Sequence, residues 1–161
     1  MNLFFLRHGI AGDRADWKGD DSLRPLTSKG RSQLVLTAKV MASLGIEFDA
    51  VLTSPLVRAR ETAEIVAARL GATHRLREEP RLEPGFDVTR LSDVLAGRGR
   101  DRTLLLVGHE PDFSHTISAL VGGGNLEMKK GGLARVTLTS DRPLRGELVW
   151  LLPPKLLRRL T

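Results

Sequence analysis

The sequence predicts an α/β fold, a three-layer α/β/α sandwich with a mainly parallel central sheet and an antiparallel edge. Short apolar runs alternate along the chain with longer segments of helical periodicity, which is typical of parallel strands joined by covering helices. The last two apolar runs are separated by only a short polar turn, and this spacing favours an antiparallel pair. The chain has 161 residues, 41% of them hydrophobic, so residues 1–161 are expected to form a single domain.

The first elements follow from simple start and stop signals. Residues 2–7 form an apolar run, a predicted buried strand, and the polar residues 10–26 form a long loop. Thr27 is suited to cap a helix that runs to Leu44 and stops at Gly45.

The next elements repeat the pattern, beginning with an apolar strand over 49–53. Ser54 is expected to cap the following helix, with Pro55 at its first position and Gly71 at its end. The basic tail 155–159 is expected to be a terminal turn. The same signals predict a strand near 74–78, a helix near 88–96, a buried strand at 103–107, a helix over 112–121 and strands near 133–139 and 146–151.

The composition narrows the range of partners. The net charge of +6 suits an anionic partner, but the basic residues are scattered and aromatic residues make up only 4%, so nucleic acid is not expected. Cysteine is absent, which excludes disulfides and thiolate metal sites. No apolar run approaches the ~20 residues of a membrane span. With no signal-peptide pattern, a cytoplasmic protein that binds no membrane is expected, and nothing indicates its oligomeric state.

Three chemically distinctive segments follow predicted strands. Arg7-His8-Gly9 follows the first strand, Arg58 lies in the helix after the second, and His109 follows a later, strongly apolar strand. Ligands of open α/β sheets bind outside the carboxyl ends of the strands, so we expect two arginines and two histidines in one cleft. Guanidinium forks match phosphate oxygens. The cluster therefore indicates a phosphoryl site in which one neutral imidazole attacks phosphorus and the other, protonated, stabilises its oxygens.

These segments resemble the histidine phosphatase superfamily, whose fold is phosphoglycerate-mutase-like. Four family motifs occur in order: Arg-His-Gly (Arg7, His8, Gly9), Leu-Thr-x-x-Gly (Leu26, Thr27, Gly30), Ser-Pro-x-x-Arg-Ala-x-x-Thr (Ser54, Pro55, Arg58, Ala59, Thr62) and the second histidine, His109. The resemblance implies that His8 is the nucleophile and becomes a phosphohistidine, while Arg7, Arg58 and His109 hold the phosphoryl oxygens. It further implies that no metal or organic cofactor is needed, and that a carboxylic acid protonates the leaving group and then activates water.

Glu83 is the candidate for that acid. Many relatives place a glutamate in a Leu-x-Glu element before a glycine, whereas Arg-Leu-Glu-Pro-Gly at 81–85 has its glutamate one position early and next to a proline. The alternative is that Glu83 is only a loop charge. The Leu-x-Pro pattern and the short chain are similar to the SixA-type phosphohistidine phosphatases, which lack the inserted cap of the mutases.

The chemistry of the leaving group favours the same subgroup. An alkoxide needs a proton on departure, whereas imidazole, with a conjugate acid of pKa ~6.5, leaves easily. A phosphohistidine phosphatase therefore tolerates a weak or missing acid, and hydrolysis of phosphohistidine on a phosphorylated protein is the favoured function. Two alternatives remain open: a phosphomonoesterase or mutase acting on a small phosphorylated metabolite, and a non-catalytic phosphate-binding module.

The other histidines and the first loop have simpler interpretations. His74 is expected to be solvated, and His115 is expected on a helix surface, with a place in the cleft as the alternative. The spacing of His109 and His115 matches no usual ligand pattern, so no metal site is expected. The loop 10–26 mixes acidic and basic residues and is expected to be solvated. A substrate-contact flap, with Trp17 touching a protein partner, is the alternative.

Overall fold

The computed structural model describes residues 1–160. In chain order, its strands and helices are β1 (Asn2–Arg7), α1 (Ser28–Ser43), β2 (Ala50–Thr53), α2 (Val57–Arg69), β3 (Leu76–Glu78), α3 (Val88–Leu95), β4 (Thr103–Gly108), α4 (Asp112–Leu120), β5 (Leu133–Asp141), β6 (Leu144–Leu152) and α5 (Pro154–Leu157). Short 3-10 helices lie in the connections at Asp21–Leu23, Thr73–Arg75 and Pro80–Leu82. The alternation of strands and helices expected from the sequence is confirmed.

The sheet has the strand order β3-β2-β4-β1-β5-β6. Strands β1 to β4 run parallel to one another, whereas β5 pairs antiparallel with both β1 and β6. Arg7 pairs with Gly108, and Thr53 pairs with Val107, so the carboxyl ends of β1, β4 and β2 lie side by side. The mainly parallel sheet with an antiparallel edge is confirmed, and it brings the three distinctive segments to one edge.

Helices cover both faces of the sheet. Leu3 and Phe5 of β1 pack in a cluster with residues of α3 and α4, whereas Phe4 and Leu6 pack in a cluster with residues of α1 and α2. This alternation follows from the period of two along a strand. Each of the four side chains is at most 2% exposed, and burying such a side chain stabilises the fold by about 1.5–3 kcal/mol. The central strands are therefore a rigid base for the residues that follow them.

The start of α2 differs from the sequence prediction. The helix begins at Val57, and Leu56 occupies the capping position without a side-chain hydrogen bond. The hydroxyl of Ser54 lies 2.8 Å from Nε2 of His109 and makes only a long contact, 3.3 Å, with the amide of Leu56. The predicted start at Ser54-Pro55 is wrong: the helix begins at Val57, and the Ser54 hydroxyl lies beside His109, which follows the neighbouring strand β4.

The carboxyl-terminal tail is more ordered than a terminal turn. It forms the short helix α5, in which Pro154 and Leu157 are buried, and Leu157 belongs to the core cluster beneath α1 and α2. Four residues are too few to show a helical period, so the sequence pattern did not reveal this turn. Packing of the tail places Lys155 in the same surface depression as Arg7, the last residue of β1.

Candidate active site

Main-chain hydrogen bonds join the residues that follow β1 and β4. The amide of His8 donates to the carbonyl oxygen of Gly108 at 3.0 Å. The amide of Gly131 donates to the carbonyl oxygens of Arg7 and His8 at 3.1 and 3.0 Å. Because β1 and β4 are in parallel register, His8 and His109 emerge beside each other, and their ring centroids are 5.3 Å apart. The backbone alone therefore places the two imidazoles together.

His8 is buried and held in one orientation. Its Nδ1 lies 2.8 Å from the carbonyl oxygen of Gly9, which only accepts hydrogen bonds, so Nδ1 carries the proton and Nε2 keeps its electron pair. Burial, aided by the positive charges of Arg58 and Arg7, lowers the pKa of His8 to about 3, although the hydrogen bond to Gly9 opposes this shift. The ring is therefore neutral at neutral pH, which is the form that a nucleophile on phosphorus requires.

Gly9 and Thr62 connect the segment of His8 to α2. The amide of Gly9 donates to Oγ1 of Thr62 at 3.1 Å, and this hydroxyl donates to the carbonyl oxygen of Arg58 at 2.7 Å. A Cβ at position 9 would lie 2.8 Å from Cδ1 of Leu34, which is closer than packed carbon atoms tolerate. A larger residue at position 9 would therefore require Leu34 to shift, because the turn after β1 packs closely against α1.

Arg58 extends from the first turn of α2 and is only 6% exposed. Its Nη1 donates to the carbonyl oxygen of Asp21 at 2.9 Å, and its Nη2 lies 3.2 Å from the Oδ2 of the same aspartate. Burial lowers the pKa of Arg58, and the charge of Asp21 opposes that shift. A hydrogen bond from Arg24 and the charge of Arg58 hold the pKa of Asp21 below its ordinary value. The expectation that the first loop is merely solvated is wrong for Asp21.

Arg7 lies beside β4 and the loop before β5. Its Nη1 donates to the carbonyl oxygen of Met128 at 2.6 Å. Burial lowers the pKa of Arg7, while the charges of Glu110 and Glu127 oppose that shift. An arginine stays protonated throughout the physiological range, so a fixed positive charge remains next to His8.

His109 is oriented by Ser54 through the 2.8 Å contact between the serine hydroxyl and Nε2. Burial, followed by the charge of Arg58, lowers the pKa of His109 to about 4. This lowered pKa favours the neutral form of the ring over the protonated form expected from the sequence. A neutral ring still has one N–H to donate: when the Ser54 hydroxyl donates to Nε2, the proton of His109 resides on Nδ1.

Buried donors without partners mark where an anion fits. Arg7 Nε, Arg58 Nε and His109 Nδ1 are three of the six buried side-chain polar atoms that lack a hydrogen-bond partner among residues 1–160. Leaving such a group unpaired costs about 1–3 kcal/mol. All three belong to residues that the sequence predicts to hold phosphoryl oxygens. A tetrahedral oxyanion would offer acceptors to these donors beside the neutral His8.

Glu83 stands apart from this cluster. It is exposed at the end of the 3-10 helix Pro80–Leu82, and its backbone amide donates to the carbonyl oxygen of Pro80 at 3.1 Å. Within the part of the chain that the structure describes, its carboxylate makes no hydrogen bond or ion pair. The loop is tied to α4 two residues later, where the amide of Gly85 donates to Oδ2 of Asp112 at 2.7 Å.

The remaining sequence candidates lie at the surface. His74 is exposed and its Nε2 accepts from Nε of Arg75 at 3.1 Å, as expected for a solvated residue. His115 is exposed on α4. Trp17 is 36% exposed, and its indole N–H donates to the carbonyl oxygen of Asp20 at 2.8 Å, so the loop 10–26 presents an aromatic edge to solvent.

Two further possibilities were part of the sequence expectations. Over residues 1–160, no group of three or more histidine, cysteine, aspartate or glutamate side chains is arranged to hold a metal ion. Over the same residues, no helix has the length and apolar character needed to cross a bilayer.

The contacts of three residues near the site were not predicted from the sequence, although Ser54 was expected to cap a helix. Asp21 reaches Arg58 across 37 positions, and Ser54 reaches His109 across 55, so no local pattern reveals either contact. Glu110 follows His109 directly; its carboxylate accepts from the amide and hydroxyl of Ser114 at 3.1 and 2.5 Å. Adjacency to His109 was the available signal for Glu110.

Comparison with known proteins agrees with this geometry. The model of the histidine phosphatase superfamily (branch 1) matches residues 3–83. Phosphohistidine phosphatase SixA of Escherichia coli K12 is 31% identical over 157 residues, covering 96% of this chain and 94% of its own. An uncharacterised protein of Picosynechococcus is 40% identical, covering 95% and 100%. The solved structure of the protein histidine phosphatase SixA complexed with tungstate superimposes with a TM-score of 0.86 at 29% identity, covering 98% and 99%.

Proposed function

Because this chain belongs to the histidine phosphatase superfamily and is a phosphohydrolase, we propose that it hydrolyses phosphohistidine on proteins through a covalent intermediate on His8. The observation that carries the proposal is the burial, orientation and neutral charge of the His8 ring. The ring is buried, its Nδ1 is committed to the carbonyl oxygen of Gly9, and its pKa is lowered to about 3. A neutral Nε2 is thereby available for attack beside donors that lack acceptors.

In the proposed first step, Nε2 of His8 attacks phosphorus as the bond from phosphorus to the substrate imidazole breaks. The electron pair of that bond returns to the substrate ring nitrogen. Arg7, Arg58 and Nδ1–H of His109 stabilise the charge on the three transferring oxygens. When the substrate ring carries a proton on its other nitrogen, it departs as neutral imidazole, so the transfer needs no added proton and the exposed position of Glu83 is no obstacle.

In the second step, water attacks the phosphohistidine on His8. The bond from phosphorus to Nε2 breaks, its electron pair returns to Nε2 of His8, whose Nδ1 keeps its proton, and both protons of the water stay on the product, which leaves as dihydrogen phosphate. Atoms and charge balance without a cofactor. For a phosphate ester the first step differs, because the departing alkoxide needs a proton, and Glu83 is the carboxylate we propose for that role.

The similarity to SixA supports the choice of a protein substrate. SixA of Escherichia coli is a phosphohistidine phosphatase, and the two chains align over nearly their entire lengths. The tungstate in the solved SixA structure is a tetrahedral oxyanion, the kind of group for which the donors on Arg7, Arg58 and His109 are suited here.

A substrate panel tests the proposal. Purified protein is given a phosphohistidine protein, free phosphohistidine and several sugar phosphates, and kcat/KM is measured for each. Since general acid catalysis contributes about 10²–10⁴-fold, we expect sugar phosphates to react at least ~10²-fold more slowly. His8→Ala should reduce turnover to background, whereas His115→Ala, on the exposed face of α4, should retain it. Preference for the sugar phosphates would instead support a small-metabolite phosphatase.

A further inference from the structure

A groove begins at Arg7 and runs along α1 away from the two histidines. Its first part is a cavity of about 490 Å³ lined by the first residues after β1, the loop before β5 and the start of α5, among them Arg7, Ile10, Gln33, Lys130, Pro154 and Lys155. A second depression of about 360 Å³ shares Ile10 and Gln33 and continues along α1. We call the two depressions together the basic groove.

The rim of the basic groove is positively charged. Lys29, Lys130 and Lys155 are all exposed, and none of them forms an ion pair with any residue from 1 to 160. The groove contains one carboxylate, Glu127, which is already paired with Lys129. The rim therefore has three ammonium groups without a counter-charge, and it attracts a negatively charged partner.

The floor of the basic groove is largely apolar. Ile10, Leu36, Pro153 and Pro154 contribute hydrocarbon surface. Gln33 is the polar exception: its Oε1 is buried and has no hydrogen-bond partner. An unsatisfied buried acceptor costs free energy, and the N–H of an entering polypeptide would satisfy it. An apolar floor with a single buried acceptor suits a polypeptide better than a uniformly charged polymer.

The loop that bears Lys130 is anchored to the catalytic segment. The next residue, Gly131, donates its amide to the carbonyl oxygens of Arg7 and His8. A Cβ at Gly131 would lie 3.5 Å from Nε2 of Gln33 and 3.7 Å from Cγ of Pro154, so this loop, α1 and α5 are in close contact. A chain lying in the basic groove is therefore adjacent to the phosphoryl pocket.

We propose that the basic groove is the docking site for an acidic segment of the phosphorylated protein, whose phosphohistidine then enters the neighbouring pocket. The inference rests on the proposed function and adds a requirement on the substrate: acidic and apolar side chains near the phosphorylated histidine. Docking of this kind affects the association rate and the affinity for the substrate. It therefore changes KM and the dependence of KM on salt, rather than the rate of the chemical step.

The test compares two double variants of the full-length chain. Lys130→Glu/Lys155→Glu reverses charge in the basic groove. Arg100→Glu/Arg142→Glu makes the same change in charge at exposed positions outside it, in the loops before β4 and between β5 and β6. Turnover is measured with a phosphohistidine protein of acidic surface and with free phosphohistidine. Binding of a labelled peptide of alternating glutamate and leucine is measured in parallel.

We expect the groove variant to raise KM for the phosphoprotein and the Kd of the peptide by about tenfold, with weaker dependence on salt. Turnover of free phosphohistidine should stay within about twofold of the wild type, and the Arg100/Arg142 variant should match the wild type throughout. Equal peptide binding by both variants would overturn docking, as would tighter wild-type binding of an RNA oligomer or an anionic vesicle than of the peptide. Failure of the wild type on both the phosphohistidine protein and free phosphohistidine would instead refute the proposed function, and the peptide would still test the groove.

Discussion

The phosphoryl pocket and the loop that carries Glu83 are organised very differently. His8, Arg58 and His109 are at most 7% exposed, and each is held by a hydrogen bond to the backbone or to a buried side chain. Glu83 is exposed, and its carboxylate has no partner among residues 1–160. The fold thus fixes the groups that bind and stabilise a phosphoryl group far more firmly than any proton donor. This contrast suits a leaving group that departs without an added proton.

Among the residues that support His8, the largest loss of activity is expected from removing an arginine of the pocket. Arg58→Ala should lower kcat/KM for a phosphohistidine protein by about 10²–10³-fold, because one donor to the developing charge is lost. Steady-state kinetics measures the loss, and circular dichroism checks that the variant is folded. Arg60→Ala, at a half-buried position on α2 that pairs with Glu64 and Glu78, serves as the matched control and should change the activity little. Equal losses in the two variants would remove Arg58 from the pocket.

A smaller effect is expected at the support of His109. Ser54→Ala removes the hydroxyl that orients the ring and should lower kcat by roughly three- to tenfold, the equivalent of a hydrogen bond of about 1 kcal/mol. KM should change little, and Ser54→Thr should restore most of the rate. If Ser54→Ala matches the wild type, the contact between Ser54 and His109 does not set the orientation of the ring.

The pocket should also make the folded state sensitive to acid. The pKa values of His8 and His109 are lowered to about 3 and 4, below the ordinary value of ~6.5, so the unfolded chain binds more protons than the folded one at intermediate pH. These two histidines therefore lower the free energy of unfolding as the pH falls from about 6.5 towards 4. Urea denaturation at pH 7 and pH 5 measures the change. His109→Asn should reduce the difference, and an unchanged difference would contradict the pKa assignment.

The smallest effect on phosphohistidine hydrolysis is expected from a change at Glu83. Glu83→Gln should change kcat/KM for phosphohistidine by less than about twofold, but lower the residual turnover of a phosphate ester further, because the departing alkoxide needs a proton. Glu47→Gln, an exposed carboxylate elsewhere, controls for the change in charge. A large loss on phosphohistidine would mean that Glu83 takes part in the main reaction and that the contrast between the two regions is misleading.

The sequence predicted the site best where chemically distinctive residues come directly after a strand. Arg7, His8 and His109 were predicted correctly to converge because parallel strands present their carboxyl ends at one edge. Contacts across long stretches of chain were not predictable, since nothing local to Ser54 or Asp21 indicates a histidine or an arginine partner. The tail was misjudged for a related reason, because a single turn becomes a helix only when it packs against the core.

The most direct test of the account is chemical trapping on His8. Protein mixed with a ³²P-labelled phosphohistidine protein is quenched rapidly in alkali, which preserves phosphohistidine, and the labelled peptide is identified by mass spectrometry. The account predicts label on His8 in the wild type, label on the same residue in Glu83→Gln, and none in His8→Ala. Turnover with no covalent label, or label on another residue, would contradict it.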